Sequence, residues 1–402
     1  MIDLTLTEEQ RALQATAREF ATRELAPAAD RVYAGDSQGH DPWPILREPF
    51  AKGCELGFLS LLVPEGDGGA GGSCIDAAIV LEELGAADVA AAASHFALTS
   101  TLAQLVARAG TAAQKDRWLS GVRAGEPVLF SGALSEPDHA GSDLFFPEAD
   151  ASVGVQTTAR EDSDGFVLNG TKSAFVTNAG IADAYFVMAR TSNDAPPAQA
   201  MTMFYVPAGA TGLTAGVRTK LSGWKTASHA ELVLDGVRVP REDVVGGLGE
   251  AGLVFAASPE IAIGLAACFV GLARVAHELA AGYAEERVSW GRPIAQHQAV
   301  ALRLAEMALD VQAARLMVWD AAVAAEKDPL AAAMRKAPAA KVFAVDAAIR
   351  TAQRAVETLG AYGVTDEYRA ARYLNDAWVG WSCDFTRDLL LLGFARERLR
   401  GG

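Results

Sequence analysis

The sequence predicts an α+β fold in three successive parts. These are an N-terminal helical domain (1–127), a middle β-domain of barrel or sandwich type (128–247) and a C-terminal four-helix bundle (248–402). Apolar residues first recur at helical spacing; from Val128 to about Val245 the period falls to two; after Gly252 long Ala/Leu-rich helical patterns run to the end. At 402 residues the chain is also too long for one ordinary core.

Thr7-Glu8-Glu9-Gln10 is a capping box. Leu13, Ala17, Phe20 and Leu25 follow at helical spacing, and Pro27 is expected to end that run. Pro42, Pro44 and Pro49 mark a loop around short helical pieces, and Leu59–Glu65 reads as extended. The Gly-rich stretch Gly66–Gly72 lacks the Lys-Ser/Thr of a phosphate loop and reads as a connector. Helices are expected over Ile75–Gly85, Ala90–Ala109 and Ala112–Gly121. In the middle part, strands are expected at Val153–Thr158, Gly165–Leu168, Thr171–Val176, Ala184–Ala189, Met201–Val206 and Glu231–Leu234. Asn169-Gly170 and Asp235-Gly236 supply turns, the first between the two arms of a hairpin. Three long helical segments (to Arg287, Gln298–Glu326, Ala339–Leu359) and a shorter one (Tyr368–Arg398) make the bundle.

A net charge of −15 argues against nucleic acid or an anionic membrane surface as partner. The four cysteines form no C-x-x-C and have no histidine at zinc spacing, which points to reduced thiols and no metal site. Met1-Ile2-Asp3-Leu4 has neither a basic region nor an apolar core, so no secretory signal is expected and the expected location is cytoplasmic. The apolar stretch Leu253–Leu272 contains Pro259 and Glu260 and reads as a buried bundle helix.

Two stretches carry the chemistry. Ser135-Glu136-Pro137-Asp138-His139-Ala140-Gly141-Ser142-Asp143 is a loop of small residues and short polar arms, suited to close approach of a ligand. Leu168-Asn169-Gly170-Thr171-Lys172 leads to Phe175-Val176-Thr177-Asn178, an aromatic followed by a hydroxyl, a pair able to cover a flat heterocycle and hydrogen-bond its edge. Together they resemble the acyl-CoA dehydrogenase family of flavoproteins, whose T-E-P-x-A-G-S-D loop and L-N-G-x-K-x-W-I-T-N segment they follow. The resemblance runs through nearly the whole chain: Arg287-Val288-Ser289-Trp290-Gly291 resembles the family's R-x-x-F-G, and Leu304-Ala305-Glu306-Met307 its L-A-x-M.

The resemblance implies bound FAD, contacted by Leu134, Ser135, Gly141, Ser142, Phe175 and Thr177. Further contacts are implied from Arg287, Trp290, Gln298, Glu357, Gly360, Ala361 and Thr386, with the Arg287-like residue reaching the pyrophosphate of a neighbouring subunit's FAD. It therefore implies a dimer or tetramer, of like or unlike chains, and an electron-transfer flavoprotein or similar acceptor. Phe175 stands for the family's Trp, Glu357 for a Gln near the phosphates, and Ala361 for a Gly.

The implied reaction takes an acyl thioester, on CoA or a carrier protein, to its 2-enoyl form. It needs a cofactor to take a hydride from the β-carbon, a desolvated carboxylate to take the α-proton, and donors to polarise the thioester carbonyl. In register from Asn375-Asp376-Ala377, the family's Y-E-G-T falls on Cys383-Asp384-Phe385-Thr386, which makes Asp384 the candidate base; a plain reading is an acidic residue paired with Arg387. Glu260 is the alternative, one residue from where some relatives place a base on the first long bundle helix. Ile261-Ala262 stand where the family carries an Arg that contacts CoA. Two other readings stay open: a partner subunit of a two-chain dehydrogenase, and a flavin oxidase of a non-thioester substrate such as a nitroalkane.

Overall fold

The computed structural model describes residues 5–35, 41–139, 150 and 152–400. The capping box forms: Thr7 Oγ1 accepts from Gln10 N–H, and the Gln10 side chain accepts from Thr7 N–H. Helix Glu8–Phe20 does not stop at Pro27. A π-turn over Ala21–Leu25 widens the helix just before it, and Ala26–Gly35 continues. The Ala26 N–H donates to Ala21, five residues back, so the ladder is already out of step where proline lacks its donor. Residues Leu59–Val63 are turns packed on the helical core, and no strand forms there. A π-turn also interrupts the helical run from Val89 to Ala109.

The middle part is a sheet of eight strands: β1 (Phe130–Ala133), β2 (Thr158–Glu161), β3 (Gly165–Thr177), β4 (Ala184–Arg190), β5 (Met201–Pro207), β6 (Leu213–Ala215), β7 (His229–Pro240) and β8 (Val244–Val245). The path is β6-β7-β3-β2-β4-β5-β8, with β1 parallel to β4. A single pair, Thr158↔Arg190, joins the two halves, and their inner faces share one core that includes Phe166, Leu168, Val187, Phe204, Leu232 and Val239.

The two expected turns are not turns. β3 runs straight through Asn169-Gly170 and β7 through Asp235-Gly236, and the two dipeptides face each other across a bulge between Leu168↔Val237 and Gly170↔Leu234. Gly236 takes φ 66°, and its N–H donates to the Asn169 side chain. The turn-forming residues thus serve a ladder defect.

The bundle consists of Glu260–Glu286, Gln298–Lys327, Ala337–Leu359 and a last arm split into Ala370–Val379 and Arg387–Arg400. Val89–Ala109 and Ala251–Glu286 are long and apolar enough to cross a membrane, and 89% and 65% of their apolar windows are buried in the protein.

Buried polar links join the three parts. Asp376 of the bundle accepts from Trp224 N–H of the β-domain and from the Tyr33 hydroxyl of the first helical region, at 2.6 and 2.7 Å. Arg372 lies 3.7 Å from the Tyr33 ring centre and donates to Asp88.

Candidate active site

The first cluster is built by a second defect in β3. From Lys172 to Val176 the strand advances four residues while β7 advances only two, from Leu232 to Ala230. The excess leaves the ladder and re-aims the side chains between. Phe175 turns outward and is 60% exposed, a large aromatic face without cover. Ser173 turns inward to the 134–139 loop, where its N–H donates to Ser135 O and the two hydroxyls lie 2.9 Å apart.

Beneath this contact sits a fully buried ion pair. Lys172 Nζ donates to Glu136 (2.9 Å) and to the carbonyls of Leu134 (3.2 Å) and Met188 (2.7 Å). The other Glu136 contacts come from Gln156 N–H, Thr157 N–H and the Thr157 hydroxyl. Burial works against the Glu136 charge, but Lys172 and these donors outweigh it and hold the carboxyl below its usual value. Leu134 and Ser135 are thereby fixed against the strand that carries Phe175 and Thr177; Gly141 and Ser142 lie outside the described residues. Thr177 O accepts from Ser131, and next to it Asn178 takes φ 63° with its amide donating to Ser94 O and Phe130 O. Glu136 and Lys172 were both in the motifs that the sequence singles out, but their pairing was not, and nothing in their polar sequence neighbourhoods signals it.

The second cluster lies at one end of the bundle. Val288–Ser289 and Arg292–Pro293 form a small hairpin whose tip is Trp290 (φ 54°, 93% exposed) and Gly291 (φ 77°). Arg287 and Gln298 flank it and are exposed. Glu357 ends helix Ala337–Leu359, accepting from Gln353 and lying 3.5 Å from Arg303, so its charge is partly offset. Gly360 takes φ 60° with open space around its Cα, and Ala361 is exposed beside it. Tyr283, one turn before Arg287, packs against Tyr362 and Tyr368. Among the described residues no hydrogen bond, ion pair or ring contact joins this cluster to the first.

Asp384 lies in the turn between the two pieces of the last arm, outside either helix. It takes φ 43° and Phe385 φ 69°, two consecutive non-glycine residues in left-handed backbone. The plain alternative, a pairing with Arg387, does not form, because Arg387 binds Asp346 and Asp388. Among the described residues no hydrogen bond or ion pair holds the Asp384 carboxylate. Asp384 is exposed to solvent at its surface, and protein packed around the turn still perturbs its carboxyl. Burial pushes its carboxyl above the ordinary value, and the nearby Lys341 ammonium opposes that rise. Thr386 is half-buried beside it. The Cys383 thiol is pushed up to about 12 by burial, which makes it a poor nucleophile.

Glu260 is differently placed. Its buried carboxylate is held by Arg108 at 2.7 and 3.3 Å, and Arg108 also donates to Ala257 O. It lines a small cavity with Cys74, Leu81, Ala97, Ser100 and Thr101, on the side of the helix that faces the N-terminal domain.

Three family profiles match the chain in order: acyl-CoA dehydrogenase N-terminal domain over residues 7–126, middle domain over 131–237 and C-terminal domain over 260–380. A probable acyl-CoA dehydrogenase of Bacillus subtilis, YngJ, is 32% identical, over 99% of this chain and 100% of its own length. The butyryl-CoA dehydrogenase structure from Megasphaera elsdenii superposes with a TM-score of 0.89 at 30% identity, covering 99% of this chain and 100% of that one. The FAD complex of PigA superposes with a TM-score of 0.87 at 25% identity, over the full length of both chains. Three matching domains in family order, on a helix–sheet–bundle fold, mean that this chain belongs to the acyl-CoA dehydrogenase family.

Proposed function

We propose that the protein is an FAD-dependent dehydrogenase that takes an acyl thioester to its 2-enoyl form, with Asp384 as the base. The observation that carries this reading is the Asp384 carboxylate: unpaired, raised by burial and reachable from solvent, on a strained turn where the family's base is expected. A base meant to take an α-proton gains from desolvation, which raises its proton affinity, and must stay accessible to substrate.

The residues present fit FAD. Phe175 offers an uncovered aromatic face beside Thr177 and Ser135, and Gly360 leaves the backbone open where the resemblance expects phosphate. Leu134, Ser135, Phe175 and Thr177 would hold the ring system; Arg287, Trp290, Gln298, Gly360, Ala361 and Thr386 are the proposed contacts elsewhere, some of them to a neighbouring subunit's cofactor. When bound, FAD supplies the acceptor for the β-hydride. The chain itself presents the flat ligand with one aromatic face, excludes water on the β-domain side through the buried Glu136–Lys172 seam, and accepts the α-proton at an Asp384 carboxylate oxygen. An electron-transfer flavoprotein is the proposed onward acceptor.

Support for a carrier-protein thioester over free acyl-CoA comes from the start of helix Glu260–Glu286. Ile261 and Ala262 occupy the positions of the CoA-contacting Arg, and Arg108, which reaches this stretch, is engaged by Glu260 and Ala257 O.

The test is anaerobic titration of the FAD-loaded protein with butyryl-CoA and with a butyryl carrier protein, following the visible flavin band. Bleaching by either supports the dehydrogenase and names the carrier. Asp384→Asn is expected to slow bleaching about a thousandfold, while Glu260→Gln keeps it within about threefold. The reverse pattern moves the base to Glu260, and failure to bind FAD replaces the reading with that of a partner subunit.

A further inference from the structure

Lys341 sits on helix Ala337–Leu359 with its side chain buried at 1% exposure, an unusual place for an ammonium. Its Nζ donates to two carbonyls, Gly380 O at 3.0 Å and Phe385 O at 3.1 Å. Those residues bracket Asp384: Gly380 opens the turn and Phe385 follows the carboxylate directly. Gly380 is also pressed against Phe269, where a Cβ would come within 2.2 Å of the ring, so the turn cannot retreat on that side.

We propose that Lys341 is the positioning residue of the candidate base, tying both ends of the 380–385 turn so that the Asp384 carboxylate is held in one place at the surface. This rests on the reading of Asp384 as base. Two left-handed non-glycine residues in a row do not persist without an outside constraint, and the Lys341 bond to Phe385 O acts at the second of them. The charge of the same ammonium also acts on the carboxylate, without an ion pair between them. The other titratable groups nearby are Cys383 on the turn, Cys268 on helix Glu260–Glu286 and Asp346 beside Lys341; the Arg387 guanidinium is taken up by Asp346 and Asp388. Cys268 and Cys383 stay neutral because burial raises both thiols, which leaves Lys341 as the charge that acts on Asp384.

Two substitutions separate position from charge. Lys341→Met removes both; Lys341→Gln keeps donors and removes the charge. The first readout needs no substrate: infrared titration of the protonated carboxyl band in the FAD-loaded protein, assigned as the band that Asp384→Asn deletes. Its midpoint is expected to move up by about one pH unit in Lys341→Gln, and by less in Lys341→Met, where the freed turn gives the carboxylate to water. The second is flavin reduction by butyryl-CoA, where Lys341→Met is expected to lower kcat about a hundredfold with KM nearly unchanged and Lys341→Gln to recover part of it at high pH. An unmoved carboxyl band in both folded variants, Lys341→Met included, overturns the proposal, even if butyryl-CoA proves not to be a substrate; a band moved equally in both leaves charge alone as the role of Lys341 and overturns the positioning role. Should Lys341→Met fail to fold, Lys341→Leu, which also removes both donors, takes its place. Full flavin reduction in Asp384→Asn overturns the base reading instead, whatever Lys341 does.

Discussion

Lys172→Met is the sharpest test of how the patch around Ser135 and Phe175 is held. The substitution keeps the length of the side chain and deletes its charge and donors. It leaves the Glu136 carboxylate buried with three remaining donors and only the more distant Arg190 as counter-charge, and strips the carbonyls of Leu134 and Met188 of the Lys172 donor. Removing one partner of a buried pair costs about 3–5 kcal/mol. That is a large part of the roughly 5–15 kcal/mol that stabilises a domain. The loss has a pH signature. In the wild type Glu136 is held below its ordinary value, so its contribution is present above the unfolded value and fades as pH falls through the folded one. Without Lys172, burial dominates and the carboxyl rises above its ordinary value; its contribution is then present at low pH and lost as pH climbs through the new value. The gap between the proteins should therefore be small near pH 4 and reach its full size by about pH 7. Urea unfolding followed by circular dichroism at both pH values measures it. Adding Glu136→Gln should restore at least half of the loss at pH 7, because no unpaired charge remains. A single-variant loss under about 1 kcal/mol at pH 7, or a double variant whose loss is the sum of the two, would refute the pair as the seam of the patch.

Phe175→Ala should weaken FAD binding about fivefold or more, since an exposed aromatic face is worth about 1 kcal/mol in a stack; fluorescence titration of the apoprotein reads it, and unchanged affinity removes Phe175 from the flavin contacts. Asp376 is pushed up to about 6 by burial, with Asp88 adding to the rise and Arg372 opposing it, so the folded state keeps a proton that the unfolded chain releases near pH 4. Its contribution is full below about pH 4 and is lost as pH rises to about 6. Asp376→Asn should flatten that part of the melting-temperature curve, and an unchanged slope assigns the titration to another group.

The three-part plan is open in the sequence because hydrophobic period is a property of long stretches. Glu260–Glu286, Gln298–Lys327 and Ala337–Leu359 could hardly be read otherwise. What misleads are single residues whose meaning depends on a partner far away. Asn-Gly and Asp-Gly each mean a turn when taken alone, yet opposite one another they share one bulge. Pro27 reads as a stop because a proline in regular α-helix is one; the π-turn ahead of it is set by five-residue bonding that composition does not reveal. Likewise Phe175 is legible as an aromatic beside Thr177, whereas its outward aim comes from the mismatch of four residues against two with β7.

The candidate site divides along the same line. The β-domain half consists of buried, mutually satisfied groups: Glu136 with Lys172, Ser135 with Ser173, and Asn178 with Ser94 and Phe130. Ser135, Glu136, Lys172 and Asn178 all fall within the two motif stretches, so their positions stand out in the sequence even though their pairing does not. The bundle half gathers departures around Asp384, and there local rules fail: two left-handed residues without glycine, a carboxylate without a partner, a lysine without solvent. Stability alone would select against each of these. Their occurrence within one short turn, at the position the motif register assigns to the base, is what one expects if the surrounding helices hold the turn in place for chemistry. On that argument Phe385→Gly, which relieves one left-handed residue and restores the glycine of the family's Y-E-G-T, should raise the melting temperature, and an unchanged or lower value refutes strain stored in the turn.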